Sequence, residues 1–336
     1  MNRIDFLIRK LSFSLLTLLA VVIFNFFLFR ILPGDPVQMI VSPRMRPETR
    51  ERIRQIFGLD KPIWLNTASA RASGEVQAAF DSQLFIYLKN LSHGELGESF
   101  NQHKPVVELI RARLIPTVIL IVAGQLTGIV FGSLLGLLGA WKRKSAIDTL
   151  TLAAGLTAWS LPAFWLGILL LILARGKLPM GGFETSGAIF RSEWERIIDV
   201  ARHVALPAFT LAVLLFGAYM IIVRNSTMEV LAEDYILTAK AKGLSAFRVL
   251  ISHALKNAAL PLVTIIALDL GYALGGTIQI ETIFSYPGVG SLMYEAIGQR
   301  DYPVLQGVFM LLAVGVIGAN FLADLTYALL DPRVKT

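Results

Sequence analysis

The sequence predicts an all-α membrane protein with six transmembrane helices, and composition and patterning both support this fold class. Of the 336 residues, 55% are hydrophobic and 16% are charged, whereas about a quarter of an ordinary soluble domain is charged. About 20 helical residues cross a hydrocarbon core of about 30 Å, and six apolar runs have roughly that length. One run is interrupted by an aspartate and the others carry no charge; in chain order they are 11–29, 114–141, 149–174, 204–223, 257–280 and 302–323.

The first run is interpreted as a retained span. It is longer than the apolar part of a typical signal peptide, it lacks a small-x-small cleavage site, and it continues into Arg30-Ile31-Leu32-Pro33. The segment after the first span contains an Ala/Ser-rich stretch near 65–82. Its composition predicts that it buries little hydrophobic core and forms a mobile external loop. The predicted organisation is an N-terminus with the first span (1–32), a long external segment (33–113) and a five-helix core that contains a cytoplasmic loop at 224–257 (114–336).

The orientation of the spans is predicted from the short loop at 141–145. This loop carries three cations and no acid, and basic short loops lie on the cytoplasmic side. The N-terminus and the 224–257 loop are then also cytoplasmic, and an even number of spans returns the C-terminus to the same side. The net charge of +7 is accordingly interpreted as basic loops that set topology rather than as a nucleic-acid surface.

Several kinds of chemistry are missing from the sequence. The chain has no cysteine, which removes disulfides, iron–sulfur clusters and thiolate metal sites, and its four histidines lack metal-ligand spacing. It contains no phosphate-binding Gly-x-x-x-x-Gly-Lys-Ser/Thr loop, no His-Glu-x-x-His and no Gly-x-Ser-x-Gly motif. We therefore predict no catalytic, cofactor-binding or metal-binding residue. If the chain moves a solute, we expect another subunit to supply the energy.

Two features inside the spans stand out. The second span has glycines at steps of four, which lie near one helix face and predict a close-packing seam, with a partner helix either in this chain or in another: Gly124, Gly128, Gly132 and Gly136. In the fifth span, Asp269 is an ionisable residue well inside the membrane. Such an acid either faces a wet pathway or makes a structural contact, to Asn257 or to a neighbouring helix.

The cytoplasmic loop contains a short predicted helix at 233–243. Glu233 and Asp234 fall in its first turn, where negative charge suits the helix dipole, and Gly243 is placed to end it in a left-handed cap. Its last turn carries Lys240 and Lys242. An apolar strip is predicted on its surface, to fit a groove of a soluble partner or to lie on the membrane: Ile236, Ala239 and Leu244.

The motif around this helix resembles a known family. Ala239-x-x-x-Gly243, after Asp234-Tyr235 and before His253-Ala-Leu-Lys-Asn257 and Leu260-Pro261, looks like the coupling loop of binding-protein-dependent ABC importer permeases, in the dipeptide/oligopeptide/nickel branch. Further motifs follow in the family's order over nearly the whole chain: Pro33-Gly34-Asp35-Pro36, Gly94-Glu-Leu-Gly97-Glu-Ser99, Pro162-Ala-Phe164-Trp165-Leu-Gly167, Glu281-Thr282-x-Phe284-Ser285-x-Pro287-Gly288-x-Gly290 and Asp331-Pro332-Arg333.

The resemblance implies the type I importer permease fold in a bacterial inner membrane, with 33–113 in the periplasm and both termini in the cytoplasm. It implies a second permease, two ATPase subunits that bind ATP and Mg²⁺, and a periplasmic substrate-binding protein as partners, and no cofactor in this chain. The expected cargo is dipeptides or oligopeptides. The residues expected to contact an ATPase are Glu233, Asp234, Tyr235, Ala239, Lys240, Lys242, Gly243 and Leu244.

Three residues are candidates for the translocation path: Asp269, Trp165 and Glu281. Trp165 equally suits an aromatic belt at the membrane interface, and the Pro287–Gly290 turn after Glu281 either dips towards the pore or simply reverses the chain. Within the same fold, import of nickel, glutathione or oligosaccharides remains open. Alternatives from other classes are an ion-coupled secondary transporter and a scaffold or receptor without transport.

Overall fold

The computed structural model describes residues 3–31, 48 and 60–330, and the regular elements within them are helices. The all-α prediction is thus confirmed for this part of the chain. The motifs at 33–36 and 331–333 lie outside it. The elements are α1 (Arg3–Ile31), α2 (Thr67–Ser73), a 3₁₀ helix (Val76–Phe80), α3 (Gln83–Ser92), α4 (Val106–Trp141), α5 (Ala146–Ser160), α6 (Ala163–Leu173), α7 (Glu193–Val230), α8 (Asp234–Ala241), α9 (Ala246–Arg248), a π-helix (Val249–Ala254), α10 (Leu255–Ala258), α11 (Leu260–Gly276), α12 (Ile278–Ile283), α13 (Val289–Gln299) and α14 (Tyr302–Leu330).

Four helices of the described residues are long and apolar enough to cross a membrane by themselves. They are α1, α4, α7 and α14, and the apolar spans within α1 and α14 cover 23 and 21 residues. Helices α4 and α7 are longer, with 36 and 38 residues, so each extends beyond the approximately 20 residues that a hydrocarbon core requires. The polytopic membrane prediction is confirmed by these helices.

The third apolar run does not form the single straight span that its length predicts. It is divided into α5 and α6, which meet at an angle of 103°. The break falls at Leu161-Pro162, because proline has no N–H for the helical hydrogen bond and disfavours the helical conformation of the residue before it. This pair is either one broken span or a re-entrant element.

The fifth run forms α11, a helix of 17 residues. At a rise of about 1.5 Å per residue it is about 25 Å long, slightly less than the thickness of the hydrocarbon core. The described residues therefore contain four spans by length, or five if the α5–α6 pair counts as one. The predicted total of six additionally requires α11.

The chain forms two compact units. The first unit comprises 114–291 together with the end of α14 from Gly318, and the second comprises the described residues before Leu114 together with 292–317. Among the described residues of the first unit, two apolar clusters contribute to its core. Leu120, Leu211 and Tyr286 belong to one, and Tyr219 and Leu250 belong to the other.

The glycine seam of α4 packs against α7 of the same chain. A Cβ atom on Gly132 would lie 2.8 Å from the Cβ of Tyr219, and one on Gly124 would lie 2.7 Å from the Leu211 side chain. Such distances are shorter than van der Waals contact, so only glycine allows the two backbones to approach this closely. In lipid, where helices associate largely through van der Waals packing, such small residues favour a tight contact.

In the second unit, the loop before α4 is fastened to the start of α14. The Asp301 carboxylate accepts hydrogen bonds from the Ser99 hydroxyl at 2.5 Å and from the backbone N–H groups of Phe100 and Asn101, each at 3.2 Å. The Ala/Ser-rich stretch at 65–82 forms α2 and the 3₁₀ helix instead of an irregular loop, and neither element has a buried residue. The external location and mobility of this stretch stay predictions.

Candidate functional site

Helix α8 has the local structure that its charges and glycine predict. Glu233 is the N-cap, Asp234 lies in the first turn and Lys240 in the last. Gly243 has φ = 77°, and its N–H donates to the Lys240 carbonyl at 2.9 Å. A Cβ at Gly243 would meet no atom within 4 Å. Glycine is thus required here by the left-handed backbone conformation and not by lack of space.

The apolar side of α8 is buried within the chain, contrary to the prediction of an exposed strip. Ile236 and Ala239 are buried in a cluster with Leu137 of α4, Val249 of the π-helix and Leu262 of α11. The sequence predicts this strip on the surface because a short helix often presents its apolar side to a partner protein. Here the α4, α7 and α11 helices of the same unit contact that side instead. Consequently α8 is packed firmly on the membrane helices.

Other side chains form the exposed face of the coupling segment, by which we mean residues 224–257. Leu237 is 57% exposed and Phe247 is 60% exposed, and Tyr235 and Ile251 are also exposed. A cleft of about 470 Å³ follows α8, and it is lined by Gly243, Leu244, Ser245, Phe247, Arg248, Ile251 and Ser252. Exposed apolar side chains around a concave surface are typical of a contact site.

The segment after α8 contains an irregular helical stretch. The six residues of the π-helix lie between two short α-helices, and such irregularities are frequent at functional sites. The Asn257 side-chain amide of α10 donates to the Tyr235 hydroxyl of α8 at 2.7 Å. This bond connects α8 to α10 at the end of the segment.

A largely buried ion pair fixes the beginning of the coupling segment. The Arg224 guanidinium donates from Nε and Nη2 to the two carboxylate oxygens of Asp148, at 2.6 and 3.0 Å. The backbone N–H of Lys144 donates to the same carboxylate at 3.0 Å. The bidentate geometry is the strong and directional form of an Arg–carboxylate pair. The ion pair connects α7 to the start of α5, and the Lys144 bond adds the 141–145 loop to this contact.

Asp269 makes a contact to a neighbouring helix. The Tyr219 hydroxyl of α7 donates to its carboxylate at 2.7 Å, while the Gln125 amide of α4 donates to the same hydroxyl at 3.3 Å and to the Ile266 carbonyl at 3.2 Å. Asn257, the other contact considered from the sequence, bonds to Tyr235 instead. Tyr219 was not singled out from the sequence, although its phenol is the one aromatic hydroxyl in the 204–223 run.

Glu281 is fully buried and fastens the turn that follows it. Its carboxylate accepts from the Thr117 hydroxyl at 2.8 Å, from the Thr277 hydroxyl at 3.1 Å and from the Ser291 N–H at 2.8 Å. The Val289 N–H donates to the Thr117 hydroxyl at 2.8 Å. The turn is therefore packed against α4, and Glu281 presents no surface to a pathway in this conformation. Trp165, by contrast, is exposed, as are Trp159 and Phe164.

Within residues 3–31, 48 and 60–330, no group of three histidine or acidic side chains is arranged to hold a metal ion. The coupling segment and the Asp269 network consist instead of packed apolar side chains and hydrogen bonds. Such an arrangement can transmit a displacement between helices, since packed elements switch between discrete positions rather than deform continuously.

Comparison with known proteins gives matches over nearly the whole chain. The family described as "Binding-protein-dependent transport system inner membrane component" matches residues 128–336, and its N-terminal counterpart matches residues 3–121. The chain is 34% identical to the dipeptide transport system permease protein of Escherichia coli (strain K12), over 99% of both chains. It is 34% identical to the oligopeptide transport system permease protein of Bacillus subtilis (strain 168), over 98% of this chain and 99% of the relative. It is 32% identical to a glutathione transport system permease protein of Escherichia coli O6:H1, over 99% of both.

Proposed function

Because the chain belongs to the family of binding-protein-dependent transport system inner membrane components, we propose that it is the permease subunit of an ATP-driven importer for short peptides. The observation that carries the choice of cargo is the set of full-length relatives, which are named for dipeptides, oligopeptides and glutathione. Glutathione is itself a small peptide, so the three names share one substrate chemistry.

The proposed assembly contains a second permease, two ATPase subunits and an external substrate-binding protein, with the permease termini in the cytoplasm. ATP and Mg²⁺ bind to the ATPase subunits in this assembly, and the permease itself holds no cofactor. The exposed face of the coupling segment supports the proposal, because Leu237 and Phe247 offer apolar anchors beside a cleft and buried apolar anchors contribute most of the energy of many protein interfaces.

In the proposed mechanism, closure of the ATPase subunits displaces α8. Ile236 and Ala239 are buried against α4, the π-helix and α11, so the displacement reaches the membrane helices as a movement of packed elements rather than as a local rearrangement. The Arg224–Asp148 pair holds α7 to the start of α5 and provides a fixed point for this movement. The pathway opens alternately to either side, and no covalent step occurs in the chain.

Of the candidates for the translocation path, we propose Asp269 as the residue that faces the cargo. Its half-buried carboxylate within a membrane segment suits the positively charged amino terminus of a peptide, and acids inside spans commonly face a wet cavity. Trp165 is proposed at the rim of the path. The burial of Glu281 supports a different role for this residue, namely holding the Pro287–Gly290 turn.

The test compares uptake of a labelled dipeptide, a labelled tripeptide and nickel in cells that lack the gene and in cells that carry it on a plasmid. We expect the plasmid to restore peptide uptake, and we expect that uptake to stop when ATP is depleted and to survive collapse of the ion gradients. Restoration of nickel uptake alone would overturn the peptide assignment. Uptake that needs an ion gradient but no ATP would indicate a secondary transporter, and absence of any flux would indicate a scaffold.

A further inference from the structure

An exposed apolar patch occurs in the second unit, in the segment before α3. Trp64 is 62% exposed, and Leu65 and Phe80 are exposed as well. We call these three side chains the apolar patch. The segment lies outside the predicted spans. An exposed apolar patch of this kind usually marks a contact with another surface.

Backbone hydrogen bonds hold the patch together. The Asn66 N–H donates to the Ala79 carbonyl at 2.8 Å, and the Leu84 N–H donates to the Ile63 carbonyl at 3.1 Å. These bonds place 63–66 alongside 79–84, so that Trp64 and Leu65 are neighbours of Phe80. The Asn66 side chain also caps α2 by accepting from the Ser69 N–H at 3.0 Å. The patch is therefore part of a defined local fold.

The patch is continuous with a membrane-spanning helix. The Trp64 and Phe27 rings have centroids 4.2 Å apart, and Phe27 belongs to the apolar span of α1 that ends at Arg30. Three residues at about 1.5 Å each place Phe27 roughly 4.5 Å along the axis from Arg30. Tryptophan is enriched at this depth, where its ring contacts both the hydrocarbon and the headgroups. The contact with Phe27 thus places Trp64 at the boundary of the bilayer.

We propose that the apolar patch rests on the lipid bilayer and that α2 and the 3₁₀ helix lie in the headgroup region beside α1. The favoured occupant is lipid rather than a soluble protein, because Trp64 is held against a spanning helix at the level where lipid headgroups begin. Short elements with apolar side chains on one side bind such interfaces by burying that side at the headgroup boundary. This proposal rests on the membrane location of α1 and does not depend on the proposed peptide import.

The absence of cysteine allows a clean test by single-cysteine labelling. Phe80→Cys is labelled with an environment-sensitive fluorophore and compared with Glu75→Cys, because Glu75 is the exposed, charged N-cap of the same 3₁₀ helix. The full-length permease is placed in phosphatidylcholine vesicles, with a nitroxide lipid as quencher in the headgroup region or with iodide as quencher in water. Leu65→Cys supplies a second patch position if the Phe80→Cys variant inserts poorly.

We expect the label at Phe80→Cys to emit at shorter wavelength and to be quenched by the nitroxide lipid but not by iodide. We expect iodide to quench the label at Glu75→Cys. Equal quenching of both labels by iodide would overturn the proposal. Protection of Phe80→Cys that begins only when a soluble substrate-binding protein is added would also overturn it, in favour of a protein docking surface.

Discussion

Replacement of Gly243 by arginine tests whether α8 and the cleft after it dock on an energy-supplying partner. Gly243 has φ = 77° and open space around its Cα. A non-glycine residue in this conformation costs about 1–2 kcal/mol, and the long charged side chain would in addition project into the proposed interface. We expect Gly243→Arg to insert normally and to lose ATP-driven uptake by at least about tenfold, which corresponds to about 1.4 kcal/mol or more of docking free energy.

The chain offers a closely matched control for the backbone strain. Gly176, in the loop after α6, also has φ = 77°, and a Cβ added there would likewise meet no atom within 4 Å. Gly176→Arg therefore introduces the same side chain and the same strain on the predicted external side. Gly243→Ala introduces the strain at the proposed interface without the bulk. Both controls are expected to retain most of the uptake.

The assay is ATP-dependent uptake into vesicles that contain the assembled importer, together with the amount of ATPase subunit that copurifies with each permease variant. The prediction requires that Gly243→Arg lose uptake and ATPase subunit together. Full uptake by Gly243→Arg would refute the docking role of this segment. An equal loss in Gly176→Arg would show that strain, and not the interface, explains the defect.

Four other substitutions test three contacts within the first unit. Arg224→Asp or Asp148→Arg alone should reduce uptake strongly, because breaking a buried ion pair costs about 3–5 kcal/mol. The double variant, in which the two residues are exchanged, should recover part of the uptake. No recovery in the double variant would contradict a pairwise role. Tyr219→Phe removes the hydroxyl that donates to the carboxylate on α11 and should lower the free energy of unfolding by about 1–3 kcal/mol, measured by thermal denaturation of purified protein; an unchanged midpoint would contradict it. Gly132→Ala places a Cβ 2.8 Å from the Tyr219 Cβ and should cost about 1–3 kcal/mol through overpacking, measured in the same way, and a neutral effect would show that the seam is loose.

Local features of the coupling segment were predictable from the sequence. The boundaries of α8 follow from an acid at its N-cap, an acid in its first turn, a lysine in its last turn and a glycine at a left-handed position, and all these signals lie within about ten residues of each other. The burial of Ile236 was not predictable in the same way. Its contacts include Leu137 and Leu262, which are distant in sequence and are brought together only by packing of the membrane helices.

The spans illustrate the same distinction between local and long-range information. Hydropathy predicts that 149–174 is long enough to cross the membrane, but a count of apolar residues ignores the effect of Pro162, where the helix direction changes by 103°. Asp269 was recognisable as an unusual acid, whereas its partner Tyr219 is 50 residues away and is identified only by the distance between the two side chains. The buried network of Glu281 with Thr117 likewise joins distant parts of the chain.

In the proposed function, an ATPase subunit binds to the exposed face of the coupling segment and drives the opening and closing of the pathway through this chain. Crosslinking from Leu237→Cys, an exposed position on α8, examines that contact in the otherwise cysteine-free chain within native membranes. We expect the main crosslinked product to contain a nucleotide-hydrolysing subunit and its yield to change when ATP is bound. Crosslinks from this position that never capture such a subunit would contradict the proposed contact with an ATPase. Active transport by the purified chain alone would contradict it as well.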